Sequence, residues 1–519
     1  MQLTSAQAWS RAEAIARNHP EKALNAFESL LSCSDLKGMA HLRLGVIAAR
    51  AGRMRDAVAH TLASASAQHP DPEFQLMLAR QLADLGELQS ALGCIEELGV
   101  LDGIDPSVLA NAGKTLADFS FYDRAEEFLV RAARAGVRSA VIEYLIGLSR
   151  MYCGKIGMAQ ESLEACLRID PGFAPAMRAL VTSRRQTADN NHADRMRSLL
   201  ARVGDQHAFA PLLHYSLFKT FDDMGDERTA WTHLEAGMRL RRAQISYDEP
   251  GQRALFDALE QFAPQQCDAA SDVTGAVPIF IVGLPRSGST LLERMLCTNP
   301  GVVDAGELRD FVCQLRWVCD SIGGPHLDVQ LVDRAKECDW TELGRRYLEH
   351  TQWRAGSAGF YTDKLPANSM VAGYIAQALP MAKIVHIARD PMDACFSNMK
   401  ALFADAYPYS YDQGEMARHF LWYRRLMSHW HEMFPGRILD IRYEELVAQP
   451  EVGMSRVLEF CGIRRAPGID FATTRLDGMI GTASTVQVRE PVHSGYVGQW
   501  QRYRAHLGRL QSQLGETEA

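Results

Sequence analysis

Ala23, Ala57, Ala91, Ala125, Ala159 and Ala193 stand 34 residues apart, six alanines in one register. A period of that length marks a stacked array of helix pairs, because a single pair cannot bury its apolar face alone and needs its neighbours. Other positions keep the phase. Gly45, Ala79, Gly113 and Gly147 fall where small residues let the two helices of a pair approach. Gly52, Gly86 and Gly154 fall at the turn between those helices, where positive φ is useful. Phe27, Ile95, Leu129 and Leu163 follow the alanines by four residues, on the same helix face. Pro171 closes a unit, since proline cannot continue a helix. Gly225 and Ala230 read as a further turn and packing alanine. Ala230 lies 37 residues beyond Ala193, so the polar stretch 183–210 holds a modified unit.

Residues 5–240 resemble tetratricopeptide repeats, which implies an N-terminal all-α solenoid. The groove of such a solenoid serves a macromolecule such as a peptide, or self-association into a homo-oligomer; the alternative is a passive brace.

With 519 residues the chain is too long for one core, and two or three domains are expected. We read a repeat domain over 1–245, a linker over 246–276, a catalytic domain over 277–510 and a polar tail over 511–519. The net charge of −8 argues against a dedicated nucleic-acid binder, so no nucleic-acid partner is expected. No apolar run approaches the roughly 18 residues of a membrane span. The start, MQLTSAQAWSRAEAIARNHP, reads as the first repeat helix and not as a signal peptide. Eleven cysteines without a CxxC pair suit reduced thiols, hence a cytoplasmic protein.

Pro278–Val282 is a short apolar run that reads as a buried parallel strand. Gly283-Leu-Pro-Arg-Ser-Gly288 forms a turn, and Ser289–Leu296 reads as the helix after it. Strand, glycine loop and helix make an anion site, because backbone N–H groups and the positive helix end face into the loop. The G-x-x-x-x-G spacing matches a nucleoside-triphosphate loop, but Ser289 stands where a kinase or ATPase needs lysine. The cation sits inside the loop, at Arg286. A second apolar run, Ile384–Ala388, reads as a central strand with Arg389 at its carboxyl end, where ligands bind in open α/β sheets.

The loop resembles the 5′-phosphosulfate loop of sulfotransferases that use 3′-phosphoadenosine 5′-phosphosulfate. The combination with repeats resembles bacterial repeat-bearing sulfotransferases, and the catalytic half, over about 277–505, is similar to tyrosylprotein sulfotransferases. The resemblance implies a P-loop-like α/β domain with a central parallel sheet, a sulfonate donor and no metal. It assigns Pro285, Arg286, Ser287, Gly288, Ser289 and Thr290 to the donor's 5′ end. Arg389 and Ser397 hold the 3′-phosphate, with Lys400 and Arg489 placed to cover a loss of Arg389. Tyr443 is a further donor contact. Glu307 is the general base, and a carboxylate within reach of the acceptor hydroxyl suffices for that step. Lys364, in Lys364-Leu-Pro366, touches the sulfonate and bridging oxygen, and Ser484 the sulfonate end. Arg489 binds the 3′-phosphate. One departure stands out: the tyrosine enzymes carry lysine just before the tryptophan, where this chain has Gln499 before Trp500, and Arg489 or Arg502 is the expected substitute.

The leading reading is an O-sulfotransferase, with tyrosine of a protein or peptide as acceptor. A small-metabolite or polysaccharide hydroxyl, a P-loop nucleotide kinase and an inactive repeat scaffold stay open, because fold does not fix function. The cofactor motifs all follow residue 277, so the repeats are expected to serve the acceptor and not the cofactor.

Overall fold

A computed structural model describes residues 4–100, 103–265, 275–324, 326–472 and 492–515. Packing divides the chain into two compact units, one of residues 1–137 with 309–353, the other of 138–308 with 354–519.

Among its described residues the first unit holds the helix pairs Ser5–Asn18 with Ala23–Glu28, Lys37–Arg50 with Met54–Ser66, Pro72–Asp84 with Leu88–Gly99, and Pro106–Asp118 with Tyr122–Arg134. The repeated alanines are the buried contacts; Ala57, Ala91 and Ala125 are fully enclosed. The small residues facing them are required by distance. A Cβ on Gly113 would lie 2.7 Å from Leu129 Cγ, and one on Gly45 2.5 Å from Thr61 Oγ1. The turn positions carry positive φ at Gly52 (78°) and Gly86 (85°), and Ser120 (66°) takes the same position in the next pair. Asp71 and Asp105 cap the first helices of their pairs, each followed by a proline that suits the first helical position.

Residues 309–353 pack on these repeats. The Arg346 guanidinium lies 3.6 Å from the Trp317 ring centroid, and Arg55 covers the same ring at 5.1 Å. The Arg55 backbone N–H donates to Asp320 Oδ1 at 2.9 Å. Buried Glu87 accepts from Arg346 at 3.4 Å and pairs with His350 at 3.2 Å.

The second unit holds the helix pairs Ala140–Tyr152 with Ile156–Ile169 and Ala210–Met224 with Glu227–Gln244, and between them Ala174–Thr182 and Ala193–Val203, a middle pair in chain order whose helices both pack on Ala210–Met224. Thr187 and Asn190 bridge in the longer connection of the middle pair, which is the modified unit. The helix Glu249–Leu259 follows and packs on the long helix Gln413–Met433, with Arg418 bound to Glu249 and Arg425 to Asp257 and Glu260.

The remaining core is a five-stranded sheet: β1 (Val277–Gly283), β2 (Val302–Asp304), β3 (Phe360–Asp363), β4 (Lys383–Ala388) and β5 (Ile438–Arg442). Its order is β2-β3-β1-β4-β5, and every neighbouring pair is parallel. Ile279, Phe280, Ile281 and Val282 are all fully buried, so β1 is covered on both faces, as a parallel central strand requires. The fold is thus helical repeats followed by an α/β domain with a central parallel sheet. Among the described residues no helix is long and apolar enough to cross a membrane.

Candidate active site

Every chemistry-bearing turn of the sheet leaves a carboxyl end of a strand. β1 runs into Gly283–Gly288 and then the helix Ser289–Leu296. The loop is built around exclusion of side chains. A Cβ on Gly288 would lie 2.4 Å from Tyr443 Cδ2, and φ there is 106°. Arg286 adopts φ 67°, the left-handed region that a non-glycine residue occupies at a cost. Asn398 ties the loop down by donating from Nδ2 to the Pro285 carbonyl at 2.6 Å. Ser287 Oγ is buried without a hydrogen-bond partner among the described residues. Leaving such a group unpaired costs about 1–3 kcal/mol, which a bound anion would relieve.

Next to this loop, β4 delivers Arg389. One of its terminal nitrogens donates to the Arg286 carbonyl at 3.0 Å and the other to the Tyr496 carbonyl at 2.5 Å. Tyr443 lies under the guanidinium at 4.6 Å. Arg389 Nε is buried with no partner among the described residues. The helix Pro391–Met399 starts from Asp390, whose side chain accepts from the Asp393 N–H at 3.0 Å, and carries buried Ser397. Burial, with Arg389 as a like-charged neighbour, pushes the Arg286 guanidinium down to about 10. Lys400 is pushed down to about 8 by burial, with Arg286 and Arg389 adding to the effect. The three cations Arg286, Arg389 and Lys400 thus act on one another through their like charges.

Across β1, the β2 and β3 turns bring Glu307 and Lys364 together. Lys364 Nζ donates to Glu307 Oε1 at 2.6 Å. The Lys364 side chain is 1% exposed and that of Glu307 41%, so the lysine is a buried group and the carboxylate opens to solvent. Burial works against the Lys364 charge, but Glu307, Glu293 and Asp304 outweigh it and leave its pKa raised. Glu293 is held by the Thr362 hydroxyl at 2.8 Å, and burial with Asp304 nearby pushes its carboxyl well above the usual range. Asn368 donates to Asp363 at 3.2 Å beneath the same turn.

The structure therefore brings Pro285, Arg286, Ser287, Gly288, Ser289, Thr290, Arg389, Ser397 and Tyr443 to one end of the sheet, with Glu307 and Lys364 on neighbouring turns. Ser484 and Arg489 lie outside the described residues. Arg502, one expected substitute for the lysine missing at 499, is held by Asp222 and Glu227 at 2.8 Å each. Tyr409 and Tyr411 are buried; Tyr409 stacks on His419 at 3.4 Å and Tyr411 donates to the Phe403 carbonyl.

Residues 278–467 match the model of the sulfotransferase family. An uncharacterized protein of Aquifex aeolicus (strain VF5) is 27% identical over 318 residues, 56% of this chain and 40% of that protein. Protein-tyrosine sulfotransferase 1 of Danio rerio is 26% identical over 244 residues, 43% of this chain and 65% of that protein. The chain covers less than two thirds of the length of either relative. Among solved structures, YrrB, a TPR protein with an unusual peptide-binding site, matches 35% of this chain and 91% of its own at TM-score 0.27 and 15% identity.

Sequence reasoning missed three features of the segment 278–467 and its helical support. Arg178, on the repeat helix Ala174–Thr182, has its pKa lowered by burial among Tyr215, Tyr411, Tyr144 and Tyr152, and its charge reaches Arg286. Asp393 accepts from the Gly498 N–H at 2.6 Å and the Trp500 N–H at 3.3 Å, fixing the segment around Gln499. His386, His431 and Asp440 form a group whose ligand atoms lie within 4.8 Å of one another. His386 and Asp440 are register partners on β4 and β5. Asp440 is shared by His386 Nδ1 at 2.8 Å and His431 Nε2 at 3.0 Å. The β4–β5 register puts His386 beside Asp440 and the helix Gln413–Met433 adds His431, and no local motif announces the group.

Proposed function

We propose that this chain is an O-sulfotransferase that takes its sulfonate from 3′-phosphoadenosine 5′-phosphosulfate and passes it to the hydroxyl of a protein or peptide tyrosine. The functional division we propose is repeats over 1–245, linker over 246–276, catalysis over 277–510 and tail over 511–519. The observation that carries the reading is the buried Lys364 paired with the open carboxylate of Glu307, one strand away from a lysine-free phosphate loop.

The residues present fit a bisphosphate donor. Ser287 Oγ and Arg389 Nε are buried polar atoms in need of partners, and the loop admits no side chain at Gly288. Loop residues 285–290 would hold the 5′ end and Arg389 with Ser397 the 3′-phosphate, with Tyr443 against the loop. The donor supplies an activated sulfonate. Glu307 takes the proton of the acceptor hydroxyl, since its carboxylate is exposed to an entering group. Lys364 and Arg286 place positive charge where negative charge grows on the leaving side, and they are held in advance by buried contacts. Ser484 completes the sulfonate contacts and Arg489 the 3′-phosphate contacts in this proposal. No metal is needed for these roles.

The test is thermal stabilisation by ligands. A ligand that binds only the native state stabilises by about 2.7 kcal/mol at a hundred times its Kd. 3′,5′-Bisphosphoadenosine should raise Tm well above AMP or ATP at equal concentration. Equal shifts with AMP and the bisphosphate overturn the two-phosphate reading, and a larger shift with ATP favours a kinase.

A further inference from the structure

We propose that Lys400, positioned by Gln499, is a cation of the 3′-phosphate subsite, acting with Arg389 and Ser397 in place of the lysine expected at 499. The proposal rests on the sulfotransferase reading.

Lys400 ends the helix Pro391–Met399, three residues after Ser397, and residues so spaced share a helix face. Its ammonium donates to Gln499 Oε1. Gln499 is itself fixed. Its Nε2 donates to the Gly495 carbonyl at 3.2 Å, which turns the amide oxygen toward the lysine. The flanking backbone is pinned by Asp393 through Gly498 and Trp500. An amide oxygen carries no charge and satisfies one of three ammonium donors.

The nearby carboxylates are already engaged. Asp222 accepts from the Tyr503 hydroxyl at 2.7 Å and pairs with Arg502 at 2.8 Å. Asp393 is occupied by the two backbone N–H groups. Among the described residues Lys400 makes no ion pair, while its charged neighbours include Arg286 and Arg389. A half-buried ammonium beside two guanidiniums is unfavourable unless an anion joins them.

Two contacts place that anion at the 3′ end. Lys400 shares its helix with Ser397, and its partner Gln499 lies in the segment whose Tyr496 carbonyl orients Arg389. Arg502 is not available for this duty, being held by Asp222 and Glu227. Gln499 thus acts through Lys400 as a positioning residue, and the positive charge reaches the subsite from the helix.

The experiment measures Kd for 3′,5′-bisphosphoadenosine and for AMP with full-length wild type, Lys400→Met, Gln499→Ala and the double variant Lys400→Met/Gln499→Lys. Loss of one charge-assisted bond to phosphate should weaken the bisphosphate by about tenfold to a hundredfold in Lys400→Met. AMP, which lacks the 3′-phosphate, should change by less than about threefold, the error range of a distant contact. Tm at pH 7 should stay level or rise, since a half-buried charge has been removed. The double variant should regain bisphosphate affinity. Gln499→Ala should lose several-fold on the bisphosphate alone, and it decides the matter if Lys400→Met fails to fold. An unchanged ratio of the two affinities in Lys400→Met, or in Gln499→Ala where that variant decides, overturns the proposal. If wild type itself shows no preference for the bisphosphate, the sulfotransferase reading fails and this proposal with it.

Discussion

Glu307→Gln removes one negative charge and keeps the shape of the side chain. The structure sets the size of each consequence. The amide oxygen of Gln can still accept from Lys364 Nζ, now 2.6 Å from the carboxylate. The Glu307 side chain is 41% exposed, so its ion pair is partly screened and worth about 1 kcal/mol or less. Lys364 keeps Asp304 as a balancing charge. The fold should therefore survive with a Tm shift of a few degrees at most. Catalysis is different. Loss of a general base costs about 10²–10⁴-fold, or about 3–5 kcal/mol in the barrier. The kinetic loss exceeds the structural one several times over, and the two can be told apart. The assay is single-turnover transfer of labelled sulfonate to a tyrosine peptide, with bisphosphate Kd and Tm measured on the same preparation. Lys364→Met is the contrast: it should slow turnover and weaken the donor as well. Turnover of Glu307→Gln within about threefold of wild type, below the general-base range, refutes the assignment. His493, exposed in the segment after residue 491, then becomes the base to test.

Gly288→Ala should damage both phosphate ends at once. Its Cβ would sit 2.4 Å from the Tyr443 ring at φ 106°, and strain plus overpacking amount to about 2–6 kcal/mol. Tm should fall and AMP should lose affinity along with the bisphosphate, unlike Lys400→Met; wild-type AMP affinity would count against the loop geometry. The His386–Asp440–His431 group should set a pH window. Burial opposes the Asp440 charge, but hydrogen bonds from both histidines outweigh it and hold its carboxyl well below the usual range. The bond to Asp440 raises His431. The depressed carboxylate contributes above its unfolded value, about 3.9, and loses that contribution as pH falls through its folded value. The raised imidazole contributes below about 6.5 and loses its contribution as pH rises through the folded value. The Tm difference between wild type and His431→Gln should therefore be largest near pH 5–6; a difference independent of pH from 4 to 9 would show the group to be uncoupled.

What was legible in the sequence was local or periodic. The repeated alanines and Gly113 could be found because close helix packing leaves no room for a larger residue every 34 positions. β1 and β4 showed as short apolar runs because both faces are buried. The phosphate loop is contiguous, so its glycines, Arg286 and following helix were read together. What stayed hidden depends on register and on distant neighbours. Trp317 between Arg55 and Arg346 joins positions more than two hundred residues apart, and residues 309–353 carry no pattern that announces their packing on the repeats. Gln499 looked like a lost charge; that Lys400 stands against it is visible only once Asp393 has fixed the segment between them.

That last contact changes what the repeats do. Read by order along the chain, the cofactor motifs after residue 277 leave the repeats to the acceptor. In the second unit the helix Ala210–Met224 reaches both elements that carry Lys400 and Gln499, the pair proposed for the 3′ subsite. The Tyr215 hydroxyl donates to the Met399 carbonyl at 3.0 Å, at the residue before Lys400. Asp222 holds Tyr503 and Arg502 of the stretch Gln499–His506. Trp231 on the following helix stacks on His506 at 4.7 Å. A half-buried lysine beside two arginines stays in place only if its backbone cannot relax away from them, and these repeat side chains supply that restraint. Bracing and substrate capture are then not alternatives for the repeats: the helices that would meet an acceptor also hold Lys400 and Gln499 where a 3′-phosphate can be bound.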